Sequence, residues 1–344
     1  LRIVVFRKLL LVTTFLLATT GCFDKSTPVP EAPVAAGNVN SCSGQHQVFI
    51  STGVMVGSRA DHTATLLADG RVLLAGGFLS SYFVEHAVLD TSEVYDPSAR
   101  TFQETGKMTS ARSEAAATRL ADGRVLITGG FDQGRDRLGL VPRVPTSKAE
   151  IFDPKTNLFT ATGSTRNGRY GHSSVLLESG KALIAGGSCQ AEIGAGWGGA
   201  CSPELYDPDK GTFSGADSSG YAHNEETAIV LADGRVLLAC AGIAAVPGTF
   251  SWLDNPPLEI SYPVPASVDD TRTLISGVVG PDYFNVLSSE IFDSAGDKFS
   301  VLGAQHPARS GFTETALKDG TILIAGGSSS SLPYNDRRAV LFCP

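Results

Sequence analysis

The stretch LADGRVLLAGG, Leu67 to Gly77, returns as LADGRVLITGG from Leu120 to Gly130 and as LADGRVLLAC from Leu231 to Cys240. In each copy an apolar run meets Asp-Gly and then a second apolar run, the pattern of two antiparallel strands joined by a tight turn, expected as type I′ at Asp69-Gly70. Weaker copies are LLESGKALIAGG, turning at Ser179-Gly180, and ALKDGTILIAGG, turning at Asp319-Gly320. The turns fall 53, 57, 54 and 86 residues apart. A repeat of fixed period is the signature of stacked or radial sheets.

A second marker divides the long interval. After each hairpin an aromatic residue is followed seven positions later by another: Tyr95 and Phe102, Phe152 and Phe159, Tyr206 and Phe213, Phe292 and Phe299. The stretch WLDNPPLEI keeps the spacing with Leu253 and Ile260, and SVDDTRTLISGVVG reads as a worn hairpin turning near Asp270-Thr271 with Gly277-Val278 as its doublet. Each unit is thus four strands, a to d. The last unit ends at AVLFCP, where Phe342 matches Tyr95, and strand d is missing. The candidate is HQVFISTG near the other end of the chain, with Phe49 in the place of Phe102, so the two ends are expected to close one sheet.

The glycine doublets Gly76-Gly77, Gly129-Gly130, Gly186-Gly187 and Gly326-Gly327, with the spaced aromatics, resemble the kelch repeat over about residues 45 to 344. The resemblance implies an all-β fold, a six-bladed β-propeller whose closing blade is shared by N- and C-terminal strands. Radial packing covers both faces of each sheet and leaves only short protected edges.

Formal net charge is −8, and the basic residues Arg2, Arg7 and Lys8 all lie in the first 21 positions, so the remainder is more acidic still. Nucleic acid is therefore not an expected partner. The opening basic stretch and LLLVTTFLLATTGC read as a secretory signal over 1–21, resembling that of a bacterial lipoprotein with Cys22 lipidated. Phe23 after the cysteine implies, by the same resemblance, the outer membrane or cell surface. Residues 22–44 are proline- and alanine-rich and read as a tether, leaving 45–344 as the propeller. A monomer touching the membrane only through its lipid is expected.

Export permits disulfides. Cys42 and Cys343 fall near the same corner of the closing unit and are expected to pair, as are Cys189 and Cys201 on either side of a glycine-rich loop. Cys240 takes the position of Gly76 and reads as a buried small residue.

In a propeller the a–b and c–d connections share one face and the b–c and d–a connections the other. The long loops, 78–92, 131–147, 188–203, 279–288 and 328–337, all fall on the second face, where binding residues are expected. Ten residues before each turn stand Arg59, Arg112, Arg169, His223, Ile260 and Arg309, and three further on His62, Ala115, His172, Glu226, Pro263 and Phe312. With Glu114 and Glu225 these arginines and histidines form a candidate ring at the channel mouth, able to hold an anionic ligand. The competing reading is that a residue recurring in every unit serves the unit, bonded to carbonyls and acids of neighbouring blades.

There is no His-Glu-x-x-His or paired Cys-x-x-Cys spacing, and no metal or cofactor is expected. Some kelch propellers are copper-radical oxidases resembling galactose oxidase, but their Cys-modified Tyr has no counterpart here, because the unpaired Cys240 falls inside a strand. The expected function is an envelope-tethered binding module for a protein or carbohydrate ligand on the long-loop face. The alternative is an enzyme on an acidic sugar, similar to the kelch-type sialic acid mutarotases, with the mouth arginines binding the carboxylate and Glu114, Glu225 or His62 as acid and base.

Overall fold

The computed structural model describes residues 48–81, 84–132, 144–189, 199–216, 227–230, 236–239, 242–245, 249–251, 261–267, 272–279, 286–293, 295–296, 298–306, 311–328 and 337–343. Among them the chain is all-β, a propeller of four-stranded antiparallel sheets. In the first unit the strands a to d are Thr63–Leu66, Val72–Ala75, Ser92–Asp96 and Thr101–Glu104. The second has Ala116–Arg119, Val125–Thr128, Ala149–Asp153 and Leu158–Ala161, and the third Ser173–Leu176, Ala182–Ala185, Glu204–Asp207 and Thr212–Gly215.

A later unit is formed by Ser261–Ser267, Arg272–Val279, Val286–Asp293 and Lys298–His306. In the closing unit Thr313–Ala316, Ile322–Ala325 and Arg338–Cys343 are completed by Val48–Val54, with Phe49 opposite Phe342 as expected. Between the third and later units the strands Thr227–Val230, Val236–Ala239, Gly242–Ala245 and Thr249–Ser251 also pair in order, described in backbone only.

That sheet corrects one expectation. Its outer strands are not built on Leu253 and Ile260; they follow almost directly on strand b, at Gly242–Ala245 and Thr249–Ser251. Residues 252–260 lie outside the described residues. Gly277-Val278 is likewise no doublet beyond a strand, since Gly277 pairs with Ser288 and Val278 with Leu287 inside the ladder.

The turns also differ from expectation. Gly70 has φ 97°, but Ala68 and Asp69 are not in the left-handed region, which excludes type I′. Gly70 N donates to the Leu67 carbonyl at 3.1 Å and Leu67 N to the Arg71 carbonyl at 2.7 Å. This is a three-residue loop, a type I turn followed by a left-handed glycine. Asp69 Oδ1 accepts from Arg71 N at 3.0 Å, the local bond that suits aspartate to this place. The same backbone pair of bonds recurs at Leu120, Leu177 and Leu317.

Strand b is buried along its whole length in the first, second and closing units because sheets cover it on both sides. Val72 and Leu74 pack toward Leu323 and Leu341 of the closing unit, whereas Leu73 and Ala75 pack toward Val125 and Phe152 of the second. The aromatic markers sit opposite one another on strands c and d, with ring centroids 4.7 Å apart for Tyr95 and Phe102 and 4.8 Å for Phe152 and Phe159. The innermost strands touch one another around the axis, beginning at Thr63–Leu66 and running in chain order through Ser261–Ser267 and Thr313–Ala316 back to Thr63–Leu66.

Candidate functional site

Arg59 stands just before the innermost strand of its unit, yet it is only 2% exposed. Its Nε donates to Glu93 Oε1 at 2.9 Å and its Nη1 to the Gly76 and Thr91 carbonyls at 2.7 and 3.1 Å. Arg112 repeats this with Glu150 Oε1 at 2.6 Å and the Gly129 carbonyl at 2.9 Å, and Arg169 bonds Glu204 Oε1 and the Ser202 carbonyl. The second carboxylate oxygen of each acid accepts a backbone N–H, from Val56, Thr109 and Arg166 respectively. The three guanidinium charges are thus compensated by buried acids. Burial lowers the pKa of Arg59 and Arg169, and the partner carboxylates oppose that shift.

The backbone of the same arginines faces the preceding unit. Gly77 N donates to the Arg112 carbonyl at 2.8 Å, Gly130 N to that of Arg169 at 2.8 Å, and Gly327 N to that of Arg59 at 3.1 Å. This explains the doublet. A Cβ on Gly129, whose φ is 59°, would lie 2.5 Å from the Arg169 carbonyl oxygen and 2.7 Å from His172 Cε1. Each arginine therefore clips two units, by its side chain in its own and by its carbonyl in the one before.

Three described arginines of the expected ring are accordingly interior, with no cationic head turned to a ligand. Arg309 lies outside the described residues; at the register position of Glu93, Glu150 and Glu204 its unit carries Val340. His223 and Glu225 also lie outside them.

His62 and His172 are buried between units, with Nε2 3.0 Å from Thr313 Oγ1 and 2.8 Å from Thr128 Oγ1. Desolvation pushes His172 down to about 3 and His62 well below its ordinary value, with Arg169 and Arg112, and Arg59, adding to the shift. Both rings are neutral at pH 7.

At the channel mouth, among the described residues, backbone bonds link four of the units in an arc. Asp61 N donates to the Gly311 carbonyl at 2.8 Å, Glu114 N to that of Asp61 at 2.9 Å, and Gly171 N to that of Glu114 at 3.1 Å. All four residues are left-handed, with φ of 50°, 66°, 54° and 62° for Asp61, Gly311, Glu114 and Gly171. Two units use glycine there and two hold a partly exposed acid in a conformation that costs a non-glycine residue energy. Glu114 was expected at this mouth; Asp61 was not. Its signal was available in RADH, RSEA, RYGH and RSGF, where the third place holds an acid in two units and glycine in the other two.

No family model and no curated protein matches this chain. The reading of the site accordingly rests on its geometry.

Over the same face the long loops continue the strands outward. Phe78–Ser81 pairs with Val84–Val88 and is tied down by a bridge between Ala60 and Phe78. In the second unit Phe131 bridges both Ser113 and Pro145 and lies 4.3 Å from the Tyr170 ring. In the third, Arg169–Tyr170, Ser188–Cys189 and Gly199–Ala200 form a small sheet, closed by the Cys189–Cys201 disulfide with Cα atoms 5.3 Å apart. Among the described residues no three His, Cys, Asp or Glu side chains gather as a metal-binding group.

Proposed function

We propose that this chain is a six-bladed kelch-type propeller acting as a binding module, holding a protein or carbohydrate ligand on its long-loop face and tethered to the cell envelope through lipidated Cys22. The six-fold count is supported by the closed circuit of innermost strands, which includes Thr227–Val230 between the third and later units. The functional reading is carried by one observation: in the first and third units the b–c loops carry paired ribbons anchored to the scaffold, and in the second Phe131 bridges Ser113 and Pro145, whereas the opposite face carries short turns. Anchored loops over a rigid support present side chains at little ordering cost. The acidic-sugar enzyme finds no support in the described arginines, since Arg59, Arg112 and Arg169 are committed to Glu93, Glu150 and Glu204.

The full chain applied to an array of neutral and acidic glycans and to purified envelope proteins is expected to select a ligand. Replacing the Leu79–Ala87 loop by a short Gly-Ser turn should weaken that ligand about tenfold or more. Retention of full affinity by the shortened variant, or an array with no selective binder, defeats the reading.

Cys343 is disulfide-bonded, and its partner lies outside the described residues. We assign that partner as Cys42. A loop of this length gives roughly 5 to 6 kcal/mol in the chain-entropy account, against roughly 3 kcal/mol for Cys189–Cys201. Mass analysis of a non-reduced digest should recover the two terminal peptides linked; recovery of the Cys343 peptide joined to any other cysteine would overturn the pairing.

A further inference from the structure

The opposite end of the channel has a different composition. There the innermost strands and turns of the first two units, with Leu176 of the third and Lys318 of the closing unit, line an open depression of about 690 Å³. Its lining mixes leucine and alanine side chains with charged groups, and its size is that of a small-molecule site, in which a few placed polar groups set orientation.

Two cations stand on its wall, Arg119 and Lys318. Arg119 Nη1 donates to the Leu66 carbonyl at 3.2 Å and Lys318 Nζ to the Ala68 carbonyl at 2.5 Å, so each reaches across a unit boundary and is held by a neutral acceptor. Neither forms an ion pair with a described residue, unlike Arg71 and Arg124 on the neighbouring turns. The lining carboxylate, Asp122, is occupied by Arg124, with Oδ2 2.6 Å from Nε and Oδ1 accepting the backbone N–H at 3.0 Å. Asp69, close enough to feel the charge of Lys318, is likewise bound by Arg71. The local charge balance is therefore positive on a protein whose net charge is −8.

The repeat itself separates the two cations from the scaffold. At the register of Arg119 the other units carry Leu66, Leu176, Val230, Ser267 and Ala316, and at that of Lys318 they carry Ala68, Ala121, Glu178, Ala232 and Asp269. Arg59, Arg112 and Arg169 recur and serve the unit, whereas Arg119 and Lys318 break the repeat.

We propose that this turn-side depression binds a small organic carboxylate, its apolar body against Leu66 and Leu176 and its carboxylate on Arg119 and Lys318. A guanidinium and an ammonium together suit a carboxylate through charge-assisted bonds, and the leucines favour a ligand with a ring or short alkyl body over a bare ion. This site is separate from the long-loop face, and its test does not depend on what binds there.

Calorimetric titration of the full chain with phenylacetate is expected to show saturable binding, with the isosteric phenylacetamide and inorganic phosphate each about tenfold weaker or more. Arg119→Gln and Lys318→Met should each weaken phenylacetate about tenfold while leaving the thermal midpoint unchanged. The proposal falls if the amide or phosphate binds as well as the carboxylate, if both charge variants retain full affinity with the fold intact, or if no saturable binding occurs.

Discussion

A Glu150→Ala variant should be destabilised by about 3–5 kcal/mol, read from urea unfolding of the purified protein. Glu150 is fully buried and accepts three hydrogen bonds: from Arg112 Nη2 at 2.6 Å, from Thr109 N at 2.7 Å and from Thr109 Oγ1 at 3.0 Å. Truncation leaves a guanidinium 1% exposed without its counter-charge and strands the Thr109 donors. The Arg112→Met, Glu150→Leu pair should recover much of the loss, because the desolvation cost of both ions disappears with them. Asp122→Ala, which breaks a half-exposed pair with Arg124, should change stability by less than about 1 kcal/mol. A Glu150→Ala loss no larger than that of Asp122→Ala would show that the arginine clip does not hold the units together.

Acid should weaken the fold before ordinary carboxylates titrate. His62 and His172 have folded pKa values below the unfolded value near 6.5, so between those limits the unfolded state binds more protons and stability falls as pH falls. For His172 the window runs from about 6.5 down to about 3. For His172 the cost approaches about 1.4 kcal/mol per pH unit and reaches about 1.6 kcal/mol between pH 6.5 and pH 5, and His62 shifts stability in the same direction. The His62→Ala, His172→Ala double variant should flatten this segment of the stability curve. The repeat offers a precedent, since Ala115 fills the same place in the second unit. Equal slopes for parent and double variant between pH 5 and 6.5 would refute the assignment.

Much of the architecture could be read from residues that recur at fixed spacing. The aromatics at seven-residue intervals mark paired strands because a cross-strand ring pair needs a fixed turn length, and the same two markers, split between distant parts of the chain, matched Phe49 to Phe342. What failed lacked a periodic marker or admitted two geometries. Asp-Gly fits either a two-residue turn with both residues left-handed or a longer loop with glycine alone left-handed, and Gly70 takes the second. The sheet of 227–251 has no long b–c loop, so its outer strands arrive sooner than in the other units and carry no aromatic pair at the expected places. At the mouth, the arginines and their need for acids were legible, but the acids lie in each arginine's own unit, where Glu93, Glu150 and Glu204 each stand two residues before the strand c aromatic. The handedness of Asp61 could not be read from its residue type, because only its alignment with Gly171 and Gly311 gives it away.

The seam between Val48–Val54 and Arg338–Cys343 sets an order of events. During synthesis the first of these strands leaves the ribosome long before its partner exists. For most of that time its backbone groups and the flank of the first unit are open to pairing with any other extended segment, including one from another chain. Closure waits for Arg338–Cys343, so loss of that strand leaves two unsealed edges far apart in sequence. Until it is in place the wheel is incomplete, and its open flanks must be kept from other chains.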